Sequence, residues 1–399
     1  MHGKIDMRTV PDPYFARAFE TKTSEHHQAA LERCIGRLHE QAPVIGLRNP
    51  KIGDAKNRWI YCDGSDWVVG FYSGILLLTF QMTGEIALLN SVRARRPVFR
   101  RILESRRHRT HDVGFQFSLH SVGDWLLTGD ATSRDMALGA ANTLIGRFRP
   151  EGGYIQAWSP LSPQDRQQAA FVNGRMIADT MQNLALLHWA YRETGITDYR
   201  EVADIHAQTT ADYLVRSDAT SFHTFVFDPA TGEPRRGETH QGYADDSCWA
   251  RGQAWLIHGF AQCHAATGNP DHLATARRLA AKAMDLLDER TVPLWDYALP
   301  ATEPQHVDSS AAAVMAAGVY LLAAHVPAEE AARWRDFGDR LIEGLLSTCD
   351  LTRTPNAQGF LAHGAAHVPA GRCDTMLPYG DYYFMEALMR SLGHKSFFW

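Results

Sequence analysis

The stretch Arg175-Met-Ile-Ala-Asp-Thr-Met-Gln-Asn-Leu-Ala-Leu-Leu-His-Trp-Ala-Tyr191, followed by Thr194-Gly195-Ile196, shows how this chain is built. Its apolar side chains recur at helical spacing, which predicts a helix over 173–193. Gly195 suits the left-handed backbone of a helix C-cap, a conformation that other residues adopt at an energetic cost. Because a second periodic segment follows over 198–215, the stretch predicts a helical hairpin.

The same turn recurs elsewhere in the chain. A Thr-Gly pair followed by an acidic or polar residue ends predicted helices at Thr83-Gly84-Glu85, Thr128-Gly129-Asp130 and Thr267-Gly268-Asn269. Successive turns are far enough apart for one helical hairpin and a loop of variable length. We interpret this pattern as a weak internal repeat, which supports arranging the helices in pairs.

Helical periodicity predicts about twelve segments, and strand signals are few. The best strand signal, Phe222-His-Thr-Phe-Val-Phe-Asp-Pro-Ala-Thr-Gly232, predicts one arm of a hairpin with a glycine turn. Helices paired in this way predict an all-α fold, an (α/α)6 barrel of six helical hairpins with long loops at one end. The predicted helices are 26–40, 70–83, 86–104, 113–127, 131–147, 173–193, 198–215, 246–266, 271–289, 308–324, 328–348 and 381–392.

The composition is that of a large globular protein. The chain has 399 residues, of which 45% are hydrophobic, so it can bury a substantial core. No linker rich in Pro, Ser or Gly divides it, and we expect a single barrel domain over residues 1–399. Within it, about the first 25 residues are expected to form an irregular arm.

Charge and cysteine usage exclude several kinds of partner. The formal net charge is -5 and there is no basic block, which argues against nucleic acid and anionic membranes as partners. Neither an apolar leader nor a run long enough to span a bilayer is present, so we expect a cytoplasmic protein. The six cysteines are scattered without a CxxC pair, which predicts reduced thiols and neither a disulfide framework nor a zinc site.

Asp179 interrupts the apolar run over 175–191. On a helix it shares a face with Arg175, Gln182 and Asn183. One interpretation is an exposed polar stripe with an ordinary i, i+4 ion pair, and periodicity alone favours it. The other is a carboxylate that faces a cavity and performs proton chemistry.

Asp112 stands at the start of the predicted helix 113–127. Its simplest interpretation is an N-cap that accepts hydrogen bonds from free backbone N–H groups. However, two aspartates at the ends or inner faces of different helices can meet in one funnel. Repulsion and desolvation would then raise one pKa, leaving an acid and a base at neutral pH.

The predicted helix 246–266 carries an unusual polar and aromatic face. Arg251, Trp255, His258 and Gln262 recur along it at helical spacing. Such a face suits a sugar acid, since a guanidinium binds a carboxylate and an indole packs on a sugar ring.

The loops beside this helix allow simpler interpretations. Asp245, Asp246 and Ser247 are each predicted as an N-cap of the helix that follows. The loop over 152–158, which contains Trp158, is predicted to border a cleft. The chain has no GxGxxG after a strand and no GxxxxGK[ST], HExxH or GxSxG sequence, so nothing indicates a nucleotide-binding protein, a zinc protease or a serine hydrolase.

Seven motifs in order over about residues 60–390 resemble the unsaturated glucuronyl hydrolases, glycoside hydrolase family 88. Each motif is weak alone, and together they are strongly specific. They are His111-Asp112-Val113-Gly114-Phe115, Ile155-Gln156-Ala157-Trp158, the stretch 175–184, the stretch 223–233, Thr239-His-Gln-Gly242, Trp249-Ala-Arg-Gly-Gln-Ala-Trp255 and the stretch 380–388.

The resemblance implies the same (α/α)6 barrel and a distinctive reaction. The substrates would be oligosaccharides, disaccharides above all, that carry a 4-deoxy-4,5-unsaturated uronic acid at the non-reducing end, as polysaccharide lyases leave it. Protonation at C4 and addition of water at C5 would give a hemiketal that opens and releases the aglycone. This differs from the displacement that two carboxylates perform in ordinary glycosidases. No metal or organic cofactor is implied.

The resemblance also implies roles for particular residues. Asp179 matches the general acid/base and Asp112 the second essential aspartate. Five residues match positions that contact the substrate in the family, namely His223, Gln241, Arg251, Trp255 and Trp158. Arg251 and its neighbours would hold the uronate, and the two tryptophans would contact sugar rings.

The chain departs from the family around Trp67 and Tyr72. They lie in Asp66-Trp-Val-Val-Gly-Phe-Tyr-Ser-Gly74, where the family tends to have Trp-Thr-Asp-Gly-Phe-Trp. Either ring can be assigned to substrate binding. Packing in the inner ring of helices explains them as well.

Three other functions fit parts of the sequence. An unsaturated rhamnogalacturonyl hydrolase would use the same chemistry on another sugar, but His223-Thr-Phe and Thr239-His-Gln-Gly favour the glucuronyl type. A sugar 2-epimerase would need histidine pairs at the floor of the funnel, and the two aspartates argue against it. A non-catalytic carbohydrate-binding barrel would have no use for Asp112, Asp179 and Arg251 together.

Overall fold

The computed structural model describes residues 22–64, 66–105, 109–160 and 165–399. The predicted N-terminal arm lies outside the described residues, apart from its last few, which belong to the first helix. Most of the described chain is helical. The helices are α1 (Lys22–Ile45), α2 (Val69–Thr83), α3 (Ile86–Ala94), α4 (Arg96–Glu104), α5 (Val113–Phe117), α6 (Gly123–Thr128), α7 (Ala131–Ile145), α8 (Arg166–Val172), α9 (Thr180–Thr194), α10 (Thr197–Tyr213), α11 (Ala250–Thr267), α12 (Pro270–Leu287), α13 (Ser309–Ala323), α14 (Ala328–Thr348) and α15 (Pro378–Ser391).

Six helical segments of the described chain form a closed inner ring. They are α2, the segment from α5 to α6, then α9, α11, α13 and α15, and α15 packs back on α2. Each of the first five is followed by its outer partner, which is α3 with α4, then α7, α10, α12 and α14. The outer partner of α15 is α1, from the other end of the chain. This arrangement is an (α/α)6 barrel, which confirms the predicted fold.

The four predicted helix-ending glycines are confirmed as left-handed caps. Gly84, Gly129, Gly195 and Gly268 have φ angles of 71°, 70°, 73° and 73°. Each backbone N–H returns to the carbonyl four residues earlier. A Cβ atom built at any of them would meet no atom within 4 Å. The backbone conformation, and not crowding, therefore requires glycine at these turns.

The inner ring is held by close contacts between small side chains. Every residue of α13 is buried. At Gly318 a Cβ atom would lie 3.0 Å from backbone atoms of His258 in α11. The small residues of α13 thus let the two helix axes approach closely, and the longer apolar side chains fill the space on either side.

Short strands occupy the loops between helices. The predicted hairpin is confirmed as β6 with β7, and Gly232 in its turn has a φ of 72°. The strands β1 to β5 were not predicted from the sequence. Of these, β5 pairs with β6. The strands are β1 (Asn49–Gly53), β2 (Trp59–Cys62), β3 (Phe148–Arg149), β4 (Tyr154–Ile155), β5 (Arg175–Ile177), β6 (Thr224–Phe227) and β7 (Pro234–Glu238).

The predicted helix over 173–193 was wrong in its first turns. It begins only at Thr180, because residues 175–177 are extended and pair with β6. The backbone N–H of Ala178 also donates to the carbonyl of His223 at 2.9 Å. Asp179 therefore directly precedes a helix instead of lying within one, and Arg175 does not share its helical face.

Other predicted helix boundaries also need correction. The segment 86–104 divides at Arg95 into α3 and α4, and 113–127 contains a π-helical turn over Ser118–Val122. The helix predicted to begin near 246 begins at Ala250, and α8 was not predicted at all.

The predicted N-caps of α11 were wrong. The residue before α11 is Trp249, whose side chain makes no capping hydrogen bond. Ser247 instead donates to Asp296 at 2.6 Å, and Asp245 accepts the backbone N–H of Thr239 at 3.0 Å. These polar groups stabilise the loop itself.

The six cysteines are free thiols. Over the ranges that the structure describes, none of the helices combines the length and the apolar character that crossing a bilayer requires.

Candidate active site

Asp112 and Asp179 lie at the N-terminal ends of two neighbouring inner segments, α5 and α9. Neither side chain makes a capping hydrogen bond. Asp112 therefore occupies the predicted N-cap position, but its carboxylate does not accept the predicted backbone hydrogen bonds. The two segments cross very closely here, because a Cβ atom at Gly114 would lie 2.4 Å from atoms of Asn183. Glycine at this position therefore lets the two carboxyl groups lie near one another.

Asp179 is a buried carboxyl group with an unsatisfied oxygen. Its side chain is 13% exposed, and its Oδ2 atom has no hydrogen-bond partner among the described residues. Burial, and secondly the charge of Asp112, raise the pKa of Asp179 to about 7, against an opposing effect of Arg251. A carboxyl group in this state can donate a proton near neutral pH.

Asp112 is also buried but is better stabilised in its ionised form. Burial raises the pKa of Asp112 to about 6, while the Thr110 hydrogen bond and the Arg147 guanidinium act to lower it. The Thr110 hydroxyl donates to Oδ2 of Asp112 at 2.7 Å. Asp112 therefore loses its proton before Asp179, which separates the two into a base and an acid.

His111 lies beside Asp112, and the contacts of its Nδ1 atom favour one tautomer. The Oδ1 atom of Asn183 accepts the backbone N–H of Phe115 at 2.6 Å, so the amide nitrogen of Asn183 must face Nδ1 of His111, 3.3 Å away. The Thr180 hydroxyl lies closer, 2.8 Å from Nδ1. Both this hydroxyl and the amide nitrogen can donate to Nδ1, which favours the tautomer with the hydrogen on Nε2. Nε2 lies 3.3 Å from Oδ1 of Asp112. Burial lowers the pKa of His111 well below its usual value, so the ring is neutral.

His223 faces Asp179 in the same tautomer. Its Nδ1 atom accepts the backbone N–H groups of His240 and Gln241 at 3.1 and 3.2 Å. Nε2 therefore carries the hydrogen, and it lies 3.7 Å from Oδ2 of Asp179. Burial lowers the pKa of His223 well below its usual value. Each aspartate thus has a neutral imidazole as its neighbour, at 3.3 Å for Asp112 and at 3.7 Å for Asp179.

Arg251 and Gln241 are both hydrogen-bonded to the loop over 364–367. The buried Arg251 guanidinium pairs with Asp308 and donates to the carbonyls of Ala365 and Ala366 at 2.8 and 2.9 Å. The side-chain amide of Gln241 donates to the same Ala366 carbonyl at 2.8 Å. The structure therefore places these polar groups where they position a loop, with Arg251 still near enough to lower the pKa of Asp179.

The aromatic residues form two groups. Trp67 is half-buried against the rings of Phe71, Phe115 and Tyr379. Trp255 is fully buried, and its ring centroid lies 5.3 Å from that of Phe115. Trp158 is half-buried and belongs to a separate group of rings.

Tyr72 is not brought together with the other predicted residues. Its ring is buried beneath the guanidinium of Arg95, whose central carbon lies 5.0 Å from the ring centroid. It lines a small cavity with Leu38 of α1 and Trp59 of β2. The structure thus places Tyr72 in the packing between α2 and its neighbours and Trp67 beside Tyr379.

Several residues of the site were missed from the sequence. His111 was noted only as part of a motif, although its place beside Asp112 was a usable signal. Asn183 was placed on the same helical face as Asp179, for which an exposed stripe was one of two interpretations. Its link to Phe115 depends on the crossing of two helices. Asp308 gave no signal, because its pairing with Arg251 joins residues far apart in the chain. Within the described ranges, no three His, Cys, Asp or Glu side chains are grouped so as to hold a metal ion.

Known proteins share this architecture. The chain is 37% identical to the unsaturated glucuronyl hydrolase of Bacillus sp. (strain GL1) over 91% of its length and 96% of that protein's. The crystal structure of that Bacillus enzyme superposes with a TM-score of 0.85 at 36% identity, over 91% of this chain and 96% of that one.

Two further relatives differ in the substrates that they are named for. An unsaturated chondroitin disaccharide hydrolase of Streptococcus pneumoniae is 28% identical over the full length of both chains. An unsaturated glucuronyl hydrolase specific for heparin superposes with a TM-score of 0.82 at 26% identity, over 92% of this chain and 97% of that one.

The family assignment follows from a match to a family model. Residues 50–298 match the model of Glycosyl Hydrolase Family 88, and they contain both aspartates, both imidazoles that face them, and Arg251. This range covers more than half of the chain. The chain therefore belongs to glycosyl hydrolase family 88, and it is a glycosidase.

Proposed function

We propose that the protein releases 4-deoxy-4,5-unsaturated glucuronic acid from the non-reducing end of lyase-generated oligosaccharides. Asp179 acts as the general acid and then as the general base. The observation that carries this proposal is the buried Oδ2 atom of Asp179, which has no hydrogen-bond partner among the described residues and belongs to a carboxyl group whose pKa is raised to about 7. Such a group is suited to donating and then accepting one proton.

The reaction needs few groups because the substrate is a vinyl ether. Protonated Asp179 transfers its proton to C4, and the positive charge develops at C5, shared with the ring oxygen. Water then adds to C5, and the Asp179 carboxylate takes the proton that this water loses. The resulting hemiketal opens to a C5 ketone, and the hemiacetal left at C1 releases the aglycone alcohol. One molecule of water is consumed.

Asp112 supports this reaction through its charge. Its pKa, about 6, lies below that of Asp179, so it is the first of the pair to ionise. An ionised carboxylate near the sugar stabilises the cation that develops at C5. The N–H group of neutral His111 orients this carboxylate without adding a positive charge that would oppose the cation.

The relatives support a glycosaminoglycan disaccharide as the substrate class, since they are named for chondroitin disaccharide and heparin. Trp67 offers an exposed part of its indole to a sugar ring. The free cysteines support the expected cytoplasmic location, where thiols remain reduced.

The proposed function predicts that the enzyme destroys the ultraviolet absorbance of unsaturated uronyl disaccharides, because hydration removes the conjugated C4=C5 double bond. The measurement is absorbance against time with unsaturated disaccharides from chondroitin, hyaluronan and heparin. An unsaturated rhamnogalacturonyl disaccharide serves as the control for the sister activity. Constant absorbance with every glucuronyl substrate would contradict the proposal and would fit an epimerase or a binding protein.

The pH dependence of kcat/KM should be bell-shaped. Activity is expected to fall as pH rises through about 7, because Asp179 then loses the proton that it must donate. It is expected to fall as pH decreases through about 6, because Asp112 then becomes neutral. In Asp112→Asn the remaining activity should lose the acid limb, and the alkaline limb should move to lower pH, since the Asp112 charge is one cause of the raised pKa of Asp179.

A matched variant should move the other limb. Thr110→Val removes the hydrogen bond that lowers the pKa of Asp112, so the acid limb should move to higher pH. The assignment would be contradicted by an alkaline limb that stays in place in Asp112→Asn, or by an acid limb that moves down in Thr110→Val.

A further inference from the structure

A cavity lies at the end of the barrel opposite the two aspartates. Its volume is about 330 Å³, which is within the range of small-ligand sites. Its walls come from the turn between α9 and α10 and from the turn between α11 and α12. Arg192, which lines it, lies about 20 Å along α9 from Asp179 at 1.5 Å per residue. A ligand in this cavity would therefore be separate from a sugar at Asp179.

Two guanidinium groups give the cavity positive charge. Among the described residues, Arg192 has no ion-pair partner, and burial lowers its pKa. Arg200 is held by Tyr191, whose hydroxyl accepts from Nη1 at 3.2 Å and whose ring centroid lies 4.9 Å from the guanidinium carbon. Glu193, the residue after Arg192, is already paired with Arg134 at 2.5 Å. The protein itself therefore leaves the charge of Arg192 without a counter-ion.

His188 adds a buried polar group that lacks a partner. It lines the cavity and is 4% exposed, and its Nε2 atom makes no hydrogen bond among the described residues. Burial, then nearby Arg192 and His272, lower the pKa of His188 to about 3, so its ring is neutral. An unsatisfied buried polar atom costs free energy. A ligand oxygen that accepts the hydrogen of this ring would remove that cost.

The other groups around the cavity do not reverse its charge. An acidic residue, Asp204, also lines it, but burial raises the pKa of Asp204 against the effect of Arg200, so it ionises less readily than an exposed carboxyl group. Asn269 contributes a donor, because its Oδ1 atom accepts the backbone N–H of Asp271 at 2.9 Å and its amide nitrogen remains. Two helix starts and two helix ends meet here, and their dipoles largely cancel. The two arginines therefore favour an anion.

We propose that this cavity binds a phosphate group, which lies between Arg192 and Arg200 and accepts a hydrogen bond from His188. A guanidinium group binds a phosphate through two parallel hydrogen bonds. Phosphate carries close to two negative charges at neutral pH and so matches two arginines, whereas a carboxylate carries one. The bound group would contact both hairpins and stabilise their packing. This site lies apart from the aspartates, so the inference goes beyond the proposed function and does not depend on it.

The test is titration calorimetry of the full chain with inorganic phosphate, with acetate as the comparison anion at the same ionic strength. We expect one phosphate site with a Kd of about 1 mM or lower, and much weaker binding of acetate. Arg192→Met and Arg200→Met should each raise the Kd for phosphate at least about tenfold, because each removes charged hydrogen bonds. His188→Phe keeps a ring but no N–H group and should raise it about fivefold.

A matched control removes one positive charge elsewhere. Arg100→Met does so at an exposed position of α4, outside the cavity, and should leave the Kd for phosphate unchanged. Phosphate should also raise Tm in thermal unfolding of the wild type, because it binds the folded chain only, and it should fail to do so in Arg192→Met at the same concentration.

Several results would overturn the proposal. They are no binding of phosphate by the wild type, an unchanged Kd in Arg192→Met or His188→Phe, an equal loss in Arg100→Met, or acetate binding as tightly as phosphate. A hexose phosphate identifies the source of the group, since tighter binding than inorganic phosphate assigns the site to a phosphorylated metabolite and equal binding assigns it to the free ion. The outcome is independent of turnover, so this inference and the proposed function can fail separately.

Discussion

Asp179→Asn is expected to abolish turnover while leaving the binding of an unsaturated disaccharide largely intact. The amide keeps the shape of the carboxyl group, but it can neither donate a proton to C4 nor take one from water. General acid–base catalysis of this kind contributes about 10²–10⁴-fold, which corresponds to roughly 3–5 kcal/mol of activation free energy. The measurements are kcat from the loss of ultraviolet absorbance and Kd from calorimetry.

A matched control for this variant is Asp204→Asn in α10. Burial also raises the pKa of Asp204, which lines a cavity with Arg200 of α10 and with Tyr191. Tyr191 lies near the C-terminal end of α9, whereas Asp179 directly precedes its first residue. This control should keep full activity. Wild-type turnover in Asp179→Asn would refute the role of Asp179 as the acid, and a parallel loss of binding would assign it to substrate binding instead.

Arg251→Met is expected to lower the free energy of unfolding by about 3–5 kcal/mol. The side chains of Arg251 and Asp308 are both buried, and the substitution leaves the Asp308 carboxylate without its counter-ion. It also removes the donors to the carbonyls of Ala365 and Ala366. Unfolding in denaturant, monitored by circular dichroism, measures the change.

Two controls test whether burial causes this loss. Arg235→Met breaks an exposed ion pair with Asp228, which water and salt screen, and should cost much less than Arg251→Met. Adding Asp308→Asn to Arg251→Met removes the unpaired charge and should recover part of the stability. If Arg251→Met were as stable as Arg235→Met, burial of the Arg251–Asp308 pair would not make its loss more costly, and the prediction would be wrong.

The pairing of helices could be predicted from sequence because its signals are local. A helix repeats its apolar face every three or four residues, and its C-cap depends on the backbone of one glycine and a hydrogen bond to the residue four positions earlier. Gly84, Gly129, Gly195 and Gly268 were therefore identified correctly without any knowledge of tertiary contacts.

The start of α9 could not be predicted in the same way. Residues 175–177 carry a helical pattern, but they pair with residues 224–226, and only the folded chain brings those strands together. This pairing places Asp179 at a helix start and turns Arg175 toward Phe171. The sequence also could not tell what Trp67 and Tyr72 contact. They are close in sequence, but their neighbours come from different parts of the folded chain.

The chain's own pattern thus determined the barrel and which acidic residues were candidates, since both follow from residue type and short-range spacing. Tertiary structure alone decided their chemistry. The crossing of α5 and α9 at Gly114 places two carboxyl groups near each other away from water, and it brings Asn183 and Thr180 to Nδ1 of His111. The pKa of a carboxyl group rises because removing its charge from water, and placing it beside another negative charge, costs free energy. The burial of the group and its distance from the other charge are properties of the folded protein.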